Sequence, residues 1–382
     1  MEVPVQGDVL KWAREFRDLS LDDAAERLGL PAATLEALEA GIRKPSLTLF
    51  EKIGAAYRIP LCTLFRKTRP KEPKRPTDFR TVGGGKPKSS FDYTVAESHI
   101  RNFQRTLGLL RSEDEEFPFV ELRHYAYKGD PFAQGAFERE TIGVAVKEQL
   151  DWKSDEGFAR WRAIIEHAGV AVYLQKFDLQ AGRAFSLWDN GDPPAIIINK
   201  SDRSPNALTY SLIHEYAHLL IRQPGVSDLN PQNPVEVFCN RFAAAFLMPE
   251  EGLKLLLPMW PNSPVTWDPG TIWNAAKRLK VSGQAVAIRL EELHKAPSGF
   301  NNLFAIKPPP PPEPKAGQKI DFVRVKLSEL GGRYTDSVMG ALDREVIDVV
   351  QASQALGLSF NPKSLVKVRK YVQKYRQLVS AA

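Results

Sequence analysis

The residues best suited to chemistry sit in one short run, His214-Glu215-Tyr216-Ala217-His218. On a helix, positions i and i+4 share a face, so both imidazoles can reach one metal ion. Glu215 follows the first histidine and would lie beside the open coordination position. It is expected to act as general base on a water whose pKa zinc lowers towards ~7. Leu212, Ile213, Leu219 and Leu220 flank the run and suit a buried helix around a dry site. The chain has six histidines in 382 residues, so this spacing is a specific signal. The rival reading is a buried helix whose histidines only satisfy hydrogen bonds.

A catalytic zinc takes three protein ligands and keeps a fourth position for water. The best candidate for the third ligand is Glu236, at the start of a helical pattern that ends at Met248-Pro249. Taken alone, Glu236 reads equally as a solvated acid in a first helical turn. Asn240 lies one turn further on the same face and is expected to orient a ligand from outside. Cys239 is displaced around the helix from Glu236 and reads as a small buried residue. An oxyanion-stabilising group is also required. Tyr210, Tyr216, His167 and His294 are candidates, and the pattern distinguishes none of them.

The elements that must position these groups follow from periodicity and punctuation. A chain of this length suits more than one domain. Residues 8–66 read as a compact helical unit. Ser20 is a natural N-cap for a helix that Gly29 stops, Pro31 opens a third helix that Gly41 stops, and Pro45-Ser46 precede a fourth. Two short helices joined by a tight glycine-containing turn are the helix-turn-helix pattern. Residues 67–90 read as a basic linker rich in Pro, Lys, Arg and Gly. Helical spacing resumes over 95–110 and again over 155–168. Strands are expected over 170–174, 182–188 and 195–199, with a turn at Asn190-Gly191. Helices dominate from 206 to about 293. The proline run at 308–312 reads as a polyproline linker, after which a last helical unit can move relative to the metal-bearing one.

The fold class is therefore multi-domain. An all-α helix-turn-helix domain (1–66) and the basic linker precede an α+β domain with a small sheet (91–306). A proline-rich linker (307–319) and a small, mostly helical unit (320–382) follow. No apolar run approaches the ~18 residues that span a bilayer, so no membrane partner and a cytoplasmic location are expected. Cys62 and Cys239 are too few for a disulfide framework, which agrees with a reducing compartment.

The residues around the metal motif resemble the ImmA/IrrE metallopeptidases. The resemblance spans roughly 160–295, through Ile196-Ile197-Ile198-Asn199, the His214–His218 run and the segment from Glu236 to Pro249. It implies a zincin-like fold, a zinc cofactor and Glu236 as third ligand. Cys239 stands where the family pattern has alanine, and Phe246 where it has leucine. Residues 8–66 similarly resemble the repressor-type (XRE) helix-turn-helix, through Trp12-Ala13-Arg14, the run from Ala24 to Gly29, Leu38-Glu39-Ala40-Gly41 and Pro45-Ser46. Proteins pairing these two parts cleave a partner repressor under stress or in mobile elements, and some serve as antitoxins. The resemblance thus implies a regulatory protein substrate, with a cognate toxin as another partner. A transcriptional regulator or antitoxin with a structural or vestigial metal site is the rival function. Such modules commonly dimerise, so a homodimer is an expected arrangement.

Charge tempers the DNA half of this reading. Residues 1–64 hold ten acidic against eight basic side chains. The expected recognition helix, 31–39, offers alanines, Thr34 and two glutamates, with no Arg, Gln or Asn for a bidentate base contact. Arg43, Lys44 and the linker can hold phosphate, which positions a protein without specifying sequence. From Arg66 to Lys88 there are nine basic residues and two acidic ones. A second basic run, Lys363, Lys367, Arg369, Lys370, Lys374 and Arg376, closes the chain. Phosphate contacts predict an affinity that falls steeply with salt, and a salt-titrated duplex-binding assay checks this. A flat response would count against DNA and favour a protein-binding or dimerising module.

Overall fold

Side-chain caps mark where most helices begin. Ser20 accepts the amide of Asp23 at the start of α2 (Leu21–Leu28), and Ser46 that of Leu49 at the start of α4 (Leu47–Tyr57). Gly29, at φ 60, takes the left-handed conformation that ends α2. With α1 (Gly7–Phe16), α3 (Ala32–Glu39) and α5 (Leu61–Leu64) these form the five-helix N-terminal bundle. The computed structural model describes residues 2–71, 77–78, 90–118, 120–179, 182–188, 191–202, 204–227, 233–305 and 321–380. The expected turn residue Asn190, the proline run and most of the basic linker lie outside the described residues. The chain forms two compact units, Met1–Arg75 with Lys88–His99 and Pro76–Pro87 with Ile100–Ala382.

In the first unit, Leu10, Ala13, Leu28, Leu35, Leu38 and Phe50 build the core. Arg14 makes a two-pronged bond to Glu39, Nε to Oε1 at 2.7 Å and Nη2 to Oε2 at 2.9 Å, joining α1 to α3. Arg17 donates to the carbonyls of Tyr57 and Arg58, and to Thr94 O and Ser98 Oγ of α6 (Phe91–Glu113). Burial lowers the pKa of Arg17 to about 10, and its four hydrogen bonds keep the buried cation satisfied.

The second unit is built on a five-stranded sheet in the order β1-β5-β3-β4-β2. Strands β2 (Ala171–Gln175) and β4 (Ala195–Asn199) pair in parallel, with Val172 opposite Ile196. Strand β3 (Ala184–Leu187) runs antiparallel to β4 and to β5 (Gly225–Ser227). Every residue of β4 is buried, as the apolar run of a strand covered on both faces requires. Strand β1 (Thr77–Asp78) pairs in parallel with β5. Part of the segment expected to be pure linker is thus a sheet edge, because two residues of backbone pairing need no hydrophobic pattern.

Helices α7 (Pro131–Ile142), α8 (Val146–Asp151) and α9 (Gly157–His167) precede β2, and α10 (Pro205–Leu220) follows β4. Beyond α10 come α11 (Pro234–Leu247), α12 (Glu250–Leu256), α13 (Pro269–Leu279) and α14 (Gly283–Glu292), then a 3-10 turn at Phe300–Phe304. Helix α10 packs on β3, β4, α9 and α11, and α11 packs on α7.

The last helices, α15 (Phe322–Leu330), α16 (Gly332–Asp343), α17 (Val349–Leu356) and α18 (Pro362–Ser380), correct the expectation of a freely moving terminal unit. They belong to the second compact unit, with α15 on β2 and both α16 and α18 on α9. The physical reason is a buried anchor. The Glu166 carboxylate accepts the amides of Gly332 at 3.0 Å and Arg333 at 3.3 Å, so it plugs the N-terminus of α16, where unpaired amides favour an anion. Arg162 donates to Glu166 at 3.0 Å and to the carbonyls of Ser328 and Val172. Gly331, at φ +86, leaves no room for a Cβ beside Glu166. Burial pushes the Glu166 pKa up against the pull of Arg162. Glu166→Ala would strand Arg162 and two buried amides. It should cost about 3–5 kcal/mol, measured by urea unfolding; an unshifted midpoint would show that the anchor lies elsewhere.

Candidate metal centre

Helix α10 starts where Ser204 accepts the amide of Ala207 and Pro205 occupies the first turn. It places His214, Glu215 and His218 where their exposure is 0–1 %. Helix α11 starts in the same way, with Asn233 accepting the amide of Val235 and Pro234 behind it. Glu236 is then in its first turn and fully buried, a position where the helix dipole favours a carboxylate. The helix ends at Met248, since Pro249 cannot continue it.

Packing of α10 on α11 brings three donor groups together. His214 Nε2 is 3.1 Å from Glu236 Oε2, His218 Nε2 is 3.3 Å from Glu236 Oε1, and the two Nε2 atoms are 3.2 Å apart. Among the described residues, these three are the one cluster of His, Cys, Asp and Glu side chains compact enough to hold a metal ion. Burial, the largest single influence on Glu236, pushes its carboxyl up. Hydrogen bonding and charge from His214 and His218 together outweigh it and bring the group to about 2. A buried carboxylate held ionised between two imidazoles is the donor set of a divalent cation site.

The partner that orients a ligand is one the sequence did not disclose. His218 Nδ1 lies 3.0 Å from the carbonyl of Gln223. That carbonyl can only accept, so Nδ1 carries the proton and the Nε2 lone pair faces the site. Gln223 follows the turn in which Arg222 takes φ 57 and donates to Leu122 O. No residue type signals such a contact, because a backbone carbonyl supplies it.

The backbone carbonyl of Asn240 accepts the Tyr210 hydroxyl at 2.9 Å. Position 240 thus ties α11 to α10 through the main chain. Tyr216 donates to Glu138 of α7 at 2.6 Å, as Tyr125 does at 2.7 Å, so its hydroxyl is committed to the scaffold. His167 and His294 are exposed at helix ends. Cys239 is fully buried, and burial pushes its thiol well up, as suits an inert packing residue.

In the N-terminal unit, Thr34 is half-buried on α3, and Arg43 and Lys44 are exposed just beyond it. The structure removes one of the two glutamates from the recognition surface, since Glu39 is turned inward onto Arg14. Ala33 and Glu36 remain outward.

A HExxH helix on a small mixed sheet, facing a second helix that offers a glutamate, defines a metallopeptidase-type protein. Comparison with known families agrees: residues 165–291 match the IrrE N-terminal-like domain, a peptidase family, and residues 10–64 match a helix-turn-helix family. The chain therefore joins an IrrE-like peptidase segment to a repressor-type helix-turn-helix segment. No curated protein and no solved structure matches it. No helix among the described residues is long and apolar enough to cross a membrane.

Metal that binds only the folded chain must stabilise it, by about 2.7 kcal/mol at a hundredfold excess over Kd. Thermal unfolding with added zinc or with EDTA should therefore separate by several degrees in the wild type. Glu236→Ala and His214→Ala should abolish the gap. A gap of the same size in Glu236→Ala would place the metal elsewhere.

Proposed function

We propose that the chain is a zinc-dependent endopeptidase that cleaves a regulatory protein, a partner repressor, in a stress response or in control of a mobile element or toxin–antitoxin pair. The observation that carries the reading is the convergence of His214, His218 and Glu236 beside Glu215. Two imidazoles and one carboxylate suit zinc, and three protein ligands leave a position open. A zinc ion held there supplies Lewis acidity toward a carbonyl oxygen and toward a water.

The chain's own groups do the rest. His214 and His218 present Nε2 lone pairs, with His218 fixed in that tautomer by the Gln223 carbonyl. Glu236 offers its carboxylate between them. Glu215, adjacent in sequence to His214 and buried, accepts a proton from the attacking water and returns it to the leaving amine. Leu212, Leu219, Phe238 and Phe242 of the same two helices belong to the buried core, and the near-complete burial of the site strengthens each electrostatic contact.

The reading of a structural metal site finds some support in the near-complete burial of these groups. A structural zinc is normally closed by four protein ligands, whereas three are gathered here among the described residues. The attached helix-turn-helix favours a gene regulator as substrate over bulk protein, since it brings the peptidase to other regulators at DNA.

Glu215→Gln keeps the size of the side chain and removes the base. The variant should retain its metal while cleavage of a partner repressor falls about 10²–10⁴-fold, read by gel and mass spectrometry. Wild-type protein without metal, or equal cutting by the variant, would refute the peptidase reading.

A further inference from the structure

The positive charge of this chain lies outside its helix-turn-helix. Residues 1–64 carry more acids than bases, whereas α18, Pro362–Ser380, holds six Lys and Arg and no Asp or Glu. This helix lies beyond both matched segments, 10–64 and 165–291.

Its charges are arranged by face. Ser364, Val368 and Val372 are buried and seat the helix on the unit. Arg369 and Arg376 flank that face and are neutralised by Asp343 and Asp336 of α16, at 2.8 and 2.7 Å. Lys363, Lys367, Lys370 and Lys374 recur at intervals of four, three and four residues, so they fall on one stripe, and all are exposed. Lys367 meets Asp321 at 2.7 Å. The other three have no ion pair among the described residues.

The stripe works against the stability of its own helix. Lys363 with Lys367 and Lys370 with Lys374 are like-charged i,i+4 pairs, each unfavourable by a few tenths of a kcal/mol. Lys363 also stands in the first turn, where the helix dipole disfavours a cation. Asp321 offsets the first of these pairs in part, through Lys367, whereas Lys370 with Lys374 has no ion pair among the described residues.

We propose that the lysine stripe of α18 binds the phosphate backbone of double-stranded DNA, as a site separate from the helix-turn-helix. The duplex is favoured as partner because the chain also carries a helix-turn-helix, a motif that docks on duplex DNA, and here that motif is poor in cations. From Lys363 to Lys374 the helix rises about 16 Å, a length over which a duplex presents about ten phosphate charges. Lysine contacts to phosphate give affinity and orientation without reading sequence.

The test uses the full chain and a 30-base-pair duplex of random sequence (length about three helical turns), with anisotropy read across a KCl series. The triple variant Lys363→Gln, Lys370→Gln, Lys374→Gln should reduce the slope of log K against log salt by about 2.7, or 0.9 per lost phosphate contact. A control triple, Lys128→Gln, Lys147→Gln, Lys277→Gln, makes the same charge change at exposed lysines elsewhere on the unit and should leave the slope unaltered. Circular dichroism confirms that each variant is folded. An unchanged slope in the first triple, an equal drop in the control, or no duplex binding by the wild type overturns the proposal. So does loss of polyglutamate binding with the DNA slope intact, which would assign the stripe to an acidic protein. Zinc content and peptide cleavage do not enter this readout, so it stands or falls apart from the peptidase reading.

Discussion

Two imidazoles and a carboxylate stand 3.1–3.3 Å apart inside the protein, and the second unit is organised to keep them there. A buried carboxylate is costly unless paired, so α10 and α11 must hold their approach closely. The sheet supports α10 from one side. On the other, α7 backs α11 at Gly135, where a Cβ would collide with the Phe242 carbonyl. Glu138 of α7 reaches past α11 to the hydroxyl of Tyr216, next to Glu215. Arg139 and Gln149 donate to the carbonyls of Phe246 and Leu247, finishing the helix that carries Glu236. These supporting residues precede the segment that matches the peptidase family, so that segment is shored up by chain outside it.

What could be read from sequence was whatever is local. The spacing of His214, Glu215 and His218 is a property of one helix, and helical periodicity exposes it directly. The caps at Ser20 and Ser46 and the strand over 195–199 are equally local. Glu236 was ambiguous by its own pattern, since a first-turn acid has the same signature in solvent as at a metal. The Gln223 carbonyl, the Glu138–Tyr216 bond across 78 positions and the two-residue strand β1 leave no mark in residue type.

The two matched segments also differ in how much chemistry they display. The peptidase segment has its full donor set, each atom facing a common point. The helix-turn-helix has the fold of a DNA reader, yet its third helix presents small and acidic side chains. Its inward-turned charges, Arg14 with Glu39 and Arg17 with four oxygen acceptors, serve internal cohesion. Little of its exposed chemistry suits the reading of bases.

Glu166 carries a consequence for descent. Its carboxylate forms the start of a helix that belongs, in sequence, to a segment 166 positions away. The proline run between them reads in sequence as a seam for the exchange of gene segments. Yet a foreign tail joined there would inherit a carboxylate and a guanidinium with nothing to cover them. The terminal helices and the α9–β2 hairpin of the peptidase can thus be traded only together, and mutations in either must be answered in the other.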